Sequence, residues 1–202
     1  MDTFEAIYAR RAVKHYDPNH EMSEDELTKL MEAAIQTPTS FNMQNWRFVV
    51  VRDKALRKEL RAAAHDQEQV ETASILVILT ADLHAWKKDP ARYWTEAPAE
   101  VAKMLVDWMG PFYEGKDQLQ RDEAMRSCGL AGQTIMLAAK AMGYDSCPMI
   151  GFDADQVAKL IGLPEGHALG FMIAVGKGTK PAWPKPGQLP LEDVLIHDRF
   201  GS

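Results

Sequence analysis

The sequence predicts a single α+β domain in which helices cover a small central sheet. Segments with helical periodicity outnumber the short apolar runs typical of strands, and those runs lie far apart along the chain. The length of 202 residues is most simply one domain, and it suffices to bury a core without disulfides or a metal. We therefore expect residues 1–202 to form one domain, with a variable, partly helical excursion around residues 82–115.

Helical periodicity predicts the first two helices. Apolar side chains recur three and four residues apart between residues 2 and 11, which indicates a short amphipathic helix. Ser23 forms a capping-box pattern with Glu26 and so begins the second helix. That helix should end near Thr37, because the residue before a proline is disfavoured in the α conformation.

Short β-branched and apolar runs predict the first two strands. Residues 48–51 and 75–80 are typical of buried strands, and the charged stretch of residues 54–64 between them is typical of a helix. In residues 82–115 aromatic side chains stand among charges and prolines, and no regular pattern persists.

The C-terminal half is predicted to contain the longest helix. Residues 122–142 are rich in Ala, Met and Leu, which indicates a helix buried on most sides, and Gly143 ends it. Asp153 then caps a short helix that closes at Gly162. Two further strand-like runs are predicted over residues 169–175 and 194–196.

Charge and composition exclude several classes of function. A net charge of −6 argues against a broad nucleic-acid surface. Cys128 and Cys147 are too few for a secreted disulfide framework, and the six histidines lack metal-ligand spacing. No stretch reaches the about 18–20 apolar residues of a membrane span, and the acidic N-terminus is unlike a signal peptide. We expect a cytoplasmic protein without a membrane or nucleic-acid partner.

Three segments have side chains suited to binding a phosphorylated heterocycle. Arg10, Arg11 and Lys14 combine cations that match phosphate oxygens, although a solvated basic turn has the same composition. Residues 38–46 form a loop dense in hydroxyl and amide groups, as ordinary turns also are. Residues 147–153 read as a strand end running into a helix cap, where glycine would allow close backbone approach.

Together and in this order, these segments resemble the nitroreductase family of flavoproteins. Residues 10–16 read Arg-Arg-Ala-Val-Lys-His-Tyr, where the family has Arg-Arg-Ser-x-Arg/Lys-x-Phe/Tyr. Residues 38–46 resemble the family pattern Pro-Ser-Ser-x-Asn-x-Gln-Pro-Trp, and the resemblance continues through the long helix to residues 188–194. It implies a nitroreductase-like fold, with a central, mostly antiparallel sheet, and an intertwined homodimer that binds FMN at the interface.

The resemblance also implies an activity and a set of cofactor-binding residues. FMN would take hydride from NADH or NADPH and reduce nitroaromatics, quinones or similar small aromatic acceptors by a ping-pong mechanism, with no catalytic protein residue. Arg10, Arg11 and Ala12 would hold the phosphate. Lys14 would lie at the pyrimidine edge of the flavin and help to set its redox potential. The loop of residues 38–42 would come from the partner subunit. The implied set is Arg10, Arg11, Ala12, Lys14, Pro38, Thr39, Ser40, Asn42, Asp66, Pro148, Met149, Ile150, Gly151, Lys185 and Gln188.

The chain departs from the family pattern at three positions. Ala12 replaces a serine and Asn45 a proline, and Gln188 stands where a basic residue is common, so that Lys185 could take its place. Asp66 belongs to a pair with Gln67 at the position where the family often has an amide.

Several alternatives remain open from the sequence. The protein could bind, store or sense FMN with little turnover, or it could use the same fold for dehalogenation or ring oxidation. The aromatic residues of the excursion either pack it onto the body or cover the open face of the flavin. These residues are Trp94, Trp108, Phe112 and Tyr113.

Overall fold

The computed structural model describes residues 1–200 and centres on a four-stranded sheet. The strands follow the order β1-β2-β4-β3, and each neighbouring pair is antiparallel. The prediction of an α+β fold with a mostly antiparallel sheet is confirmed. The strand bounds are β1 Trp46–Val51, β2 Ile75–Asp82, β3 Asp145–Met149 and β4 His167–Gly176.

Helices surround this sheet on both faces. Of the helices in residues 1–200, none is long and apolar enough to cross a bilayer. The helix bounds are α1 Thr3–Ala9, α2 Glu24–Ala34, α3 Lys54–Ala63, α4 Gln69–Thr72, α5 Ala99–Tyr113, α6 Asp117–Ala141, α7 Ala154–Leu160 and α8 Leu191–Val194.

The alternation of side chains along β2 divides the interior into two cores. One set of alternate β2 residues faces α2 and α6, and the other set faces α3, α4 and α7. Every residue of β2 is buried, because the strand has a neighbour on each side and helices on each face. Its continuous apolar run follows from this position, since neither face of the strand meets water.

The predicted caps are confirmed, while two helix bounds shift. Ser23 and Glu26 form the reciprocal capping box at the start of α2, with N–O and N–Oγ distances of 3.0 and 3.2 Å. The helix ends three residues before Thr37, because the chain tightens there into hydrogen bonds between residues three apart. The long helix α6 begins at Asp117, five residues earlier than predicted, because a polar turn precedes its apolar part.

The excursion around residues 82–115 is partly helical. It contains two short 3-10 turns, Ala85–Lys87 and Pro90–Trp94, followed by α5. The segment packs through a small aromatic cluster of its own, which includes the buried Tyr93 and Tyr113.

The strand predicted over residues 194–196 is wrong. Residues 191–194 form the short helix α8, and residues 195–196 follow it as an exposed extended stretch without a strand partner. Pro190 precedes a first turn that carries Glu192 and Asp193, and this pattern suits a helix start. A β-branched run needs a neighbouring strand, and none lies beside this one within residues 1–200.

Candidate functional site

The cationic segment of residues 10–16 lies along the β3 edge of the sheet. The Val13 N–H donates to the Ser146 carbonyl at 3.1 Å, and Ala12 forms a parallel bridge with Ser146. Val13 and Tyr16 turn inward and are buried, whereas Lys14 is exposed. The inward side chains therefore anchor the segment, and the cations between them face outward.

A cavity of about 630 Å³ opens beside this segment. Six of the residues predicted to bind the cofactor line it together, although two of them lie more than 170 positions away from the others along the chain. Four cations face the cavity, and no aspartate or glutamate in residues 1–200 lines it. On a chain with a net charge of −6, this lining is a local concentration of positive charge. The six residues are Arg10, Arg11, Ala12, Lys14, Lys185 and Gln188.

Electrostatics place the cations beside β3. Burial raises the pKa of the Cys147 thiol, while Lys14 and Arg10 act against that shift. Cys147 is itself buried in β3. The cationic segment and β3 therefore lie side by side in the fold.

None of the predicted residues 148–151 lines the cavity, and they form the end of β3 and the turn after it. Pro148 and Met149 are the last residues of β3, and Ile150 follows with 79% of its side chain exposed. The Gly151 carbonyl accepts a hydrogen bond of 2.8 Å from the side-chain amide of Gln67. This bond fixes the turn after β3 and leaves the exposed face of Ile150 free for a ligand or a second chain.

The Asp66-Gln67 pair divides into two roles. Asp66 has a φ of 56° and pairs with Arg61, with 2.7 Å between its Oδ1 and the arginine Nε. Gln67 instead directs its amide to Gly151. The amide of the pair therefore contacts the turn after β3, while the Asp66 carboxylate pairs with Arg61.

The loop of residues 38–45 lies away from the cavity within the chain. The Tyr113 hydroxyl donates to Ser40 Oγ at 2.8 Å, and the Asn42 amide donates to the Tyr93 carbonyl at the same distance. Thr39 Oγ1 accepts from the Gln44 N–H at 2.9 Å. None of Pro38, Thr39, Ser40 and Asn42 lines the cavity. One copy of the chain does not bring this loop to the cationic segment.

The same loop has a strained backbone. Phe41, Asn42 and Gln44 have φ values of 51°, 49° and 42°. Left-handed conformations are costly for residues other than glycine, and they concentrate at functional sites where surrounding contacts hold them. The bonds from Tyr113 and to Tyr93 supply that support.

The aromatic residues of the excursion separate by exposure. Tyr113 is buried, and half-buried Trp94 packs against the same cluster. Trp108 and Phe112 are exposed on α5, and the Phe112 ring lies 5.4 Å from that of Phe41. Packing thus explains the first pair, while the second pair remains on the surface next to the loop.

A second cavity of about 670 Å³ lies near α3 and also contains cations. Its buried Arg57 donates to the carbonyls of Val51, Val70 and Ala73. Burial lowers the pKa of Arg57 to about 10, against the effect of nearby Glu71. Because its guanidinium donates to three backbone carbonyls, Arg57 has a structural role.

Eight residues that line the first cavity were absent from the sequence-based set, and His15 and Trp183 are two of them. His15 follows Lys14 in the cationic segment, and its ring lies 3.7 Å from the Glu68 carboxylate. Trp183 lies in the Pro-rich tail, where no periodic pattern indicated a site. In residues 1–200, no group of His, Cys, Asp and Glu is arranged to hold a metal ion.

Comparison with known proteins gives a consistent result. The family sequence model described as "Nitroreductase family" matches residues 7–177. Protein DrgA of Synechocystis sp. is 56% identical over 200 residues, covering 96% of this chain and 95% of that protein. A Thermus thermophilus protein named NADH dehydrogenase is 32% identical, covering 97% of this chain and 96% of its own length. A solved Exiguobacterium sibiricum structure in complex with FMN superposes with a TM-score of 0.90 at 29% identity, covering 97% of both chains.

Proposed function

The chain belongs to the nitroreductase family, and from this premise we propose that it is an FMN-dependent oxidoreductase that takes hydride from NADH or NADPH. The acceptors we propose are nitroaromatics, quinones or similar electrophilic compounds. The observation that carries the proposal is the cavity beside β3, which is lined by four cations and, among residues 1–200, by no carboxylate. Guanidinium and ammonium donors suit the phosphate of FMN, so the residues fit this cofactor.

Within the cavity, we assign the phosphate to the two arginines and the tail. Arg10 and Arg11 lie at the end of α1, and Lys185 approaches from the other wall. Ala12 offers only its backbone, since it lacks the hydroxyl of the usual serine, and Gln188 offers an uncharged amide. When bound, FMN supplies the hydride chemistry, so the chain needs no nucleophile or general base of its own.

Lys14 has an electrostatic role in this proposal. Its ammonium lies beside the end of β3, on the outward side of the cationic segment. A fixed positive charge at the pyrimidine edge favours the negative charge that reduction adds there. Pro148, Met149, Ile150 and Gly151 would then run along the ring, held by the bond between Gln67 and Gly151.

A second copy of the chain completes the site in this proposal. The loop of residues 38–42 is far from its own chain's cavity but has a rigid, strained conformation. Large apolar side chains on α1, α5 and the tail are exposed, among them Phe4, Trp108 and Leu191. An obligate homodimer would cover them, with an interface typically above about 2,000 Å² in total. The partner's loop would then enclose the flavin.

The exposed aromatic pair of α5 defines the proposed substrate face. Phe112 adjoins Phe41, so both would enter the partner's site together with the loop. Aromatic rings beside a flavin offer stacking surface to nicotinamide and to a flat acceptor. Use of one face by both substrates in turn gives a ping-pong mechanism.

The absorbance spectrum of the purified protein, followed by anaerobic mixing with NADH and NADPH, tests this function. We expect a flavin spectrum that bleaches rapidly with at least one nucleotide and returns when a nitroaromatic or quinone is added. A flavin spectrum without bleaching would support an FMN-binding or sensing protein instead. A colourless protein that ignores added FMN would refute the cofactor assignment.

A further inference from the structure

The Pro-rich tail runs antiparallel to the cationic segment. The Asp17 N–H donates to the Lys177 carbonyl at 2.9 Å, and the Thr179 N–H donates to the His15 carbonyl at 3.0 Å. Continued in the same register, the two segments place Trp183 opposite Arg11, and the Arg11 guanidinium donates to the Trp183 carbonyl. The tail therefore meets the cationic segment at two places, through backbone bonds near His15 and through the Arg11 side chain.

Prolines interrupt the hydrogen-bonded pairing between the tail and the cationic segment. Pro181, Pro184 and Pro186 have no backbone N–H, so a strand ladder cannot continue through them. These prolines and the cationic segment line the same cavity of about 630 Å³. The tail thus lines the cavity without extending the hydrogen-bonded pairing.

Trp183 is the point at which the tail meets both cations. Its indole is 78% exposed, and the Lys14 ammonium lies 5.7 Å from the ring centroid. Burial contributes little to the position of an exposed tryptophan. Trp183 is instead positioned by two contacts, the hydrogen bond from Arg11 to its carbonyl and the Lys14 ammonium near its ring. In residues 1–200 no carboxylate forms an ion pair with Lys14.

This contact orients Lys14 without neutralising it. A carboxylate partner would hold the ammonium equally well, but it would also cancel the positive charge seen by a bound anion. An aromatic face attracts the cation through its quadrupole and carries no net charge. The full charge of Lys14 therefore stays available to the cavity.

We propose that Trp183 is a positioning residue of the flavin site, which fixes the Lys14 ammonium at the cofactor and holds the tail across the cavity. The inference rests on the proposed function, since it concerns the same site. Loss of the indole would free the Lys14 side chain and loosen the wall that carries Lys185. Trp183 would thus affect both the retention of FMN and the electron affinity of the ring.

Trp183→Leu and Trp183→Phe test this inference in the flavin-loaded protein. We expect Trp183→Leu to release FMN about 2- to 5-fold faster, as the loss of an exposed cation–π contact allows. The flavin midpoint potential should fall in the same direction as in Lys14→Ala, but by less. Trp183→Phe keeps an aromatic face and should restore most of both properties.

A double-mutant comparison separates this role from a general effect of the tail. In a Lys14→Ala background, Trp183→Leu should shift the potential no further, because the indole acts through the ammonium. Ile35→Ala removes an exposed apolar side chain outside both the cavity and the proposed interface, and it should leave the potential unchanged. Equal shifts with and without Lys14, or an equal effect of Ile35→Ala, would overturn the inference. If the wild type binds no flavin, the proposed function fails. If the wild type binds flavin and Trp183→Leu has the same FMN release rate and midpoint potential, only this inference fails.

Discussion

At the scale of single residues, charge determines the candidate site. Arg10, Arg11, Lys14 and Lys185 surround one cavity without a carboxylate among its lining in residues 1–200. Both cysteines lie nearby or in the core, but burial raises the pKa of Cys128 to about 12 and also raises that of Cys147. Buried thiols are poor nucleophiles. The proposed chemistry therefore rests on the cations, which would bind the cofactor, and on the cofactor itself.

Arg10→Ala should weaken FMN binding. A hydrogen bond to a charged group contributes about 1.5 to 3 kcal/mol, so the Kd for FMN should rise about 10- to 100-fold. Titration of the apoprotein with FMN by fluorescence measures it. Lys58→Ala removes an exposed charge on α3 and should keep the wild-type Kd. An unchanged Kd in Arg10→Ala would refute its role at the phosphate.

At the scale of elements, local sequence patterns determine where helices begin, and packing between elements determines which side chains fit at their contacts. The capping box at Ser23 determines where α2 begins. Tight contacts determine which glycines are required. A Cβ on Gly132 of α6 would lie 2.2 Å from the Phe171 ring, whereas a Cβ on Gly129 would meet nothing within 4 Å.

The stability of the protein should depend on pH through the Glu26 carboxyl group. The backbone N–H of Ser23, with the Tyr144 and Ser23 hydroxyls, lowers the pKa of Glu26 to about 2. The unfolded chain then binds more protons than the native chain, so this stabilisation is present above the usual glutamate pKa and is lost as pH falls toward about 2. In Glu26→Gln, the urea midpoint should fall less steeply with acidification between about pH 5 and pH 2.5. A slope equal to that of the wild type would contradict this assignment.

The two glycines of α6 should respond in opposite directions to alanine. Gly132→Ala forces the Phe171 ring to move and should lower the free energy of unfolding by about 1–3 kcal/mol. Gly129→Ala fills open space in a helix and should raise it by up to about 1 kcal/mol. Chemical denaturation of both variants checks this, and equal destabilisation would show that the contact at Phe171 is not the cause.

At the scale of the whole molecule, the residues of the proposed site lie in two separate parts of one chain. The cavity lies at the β3 edge, while the strained loop of residues 38–45 is held by Tyr93 and Tyr113 of the excursion. A rotation relating two copies could bring each loop to the other copy's cavity, as symmetric dimers do. The exposed apolar side chains of α5 and the tail would be covered in the same step.

Mixed dimers test this arrangement. Arg10→Ala and Asn42→Asp should each reduce the flavin content of a homodimer. If each site combines Arg10 of one chain with Asn42 of the other, a mixed dimer retains one intact site and about half of the wild-type flavin. Co-expression with two different affinity tags isolates the mixed species. Flavin content no higher than in either homodimer would place both residues in a site formed by one chain.

The sequence alone determined the features that depend on neighbours along the chain. Capping at Ser23 and Asp153, the apolar runs of β1, β2 and β4, and the cationic segment all follow from local residue patterns. Only the tertiary structure decided how distant segments meet. It joined Trp183 to Arg11 and Lys14, paired Gln67 with Gly151 and Asp66 with Arg61, and made residues 191–194 a helix. These outcomes depend on which partner a side chain or strand finds across the fold, and no periodicity in a single sequence encodes that choice.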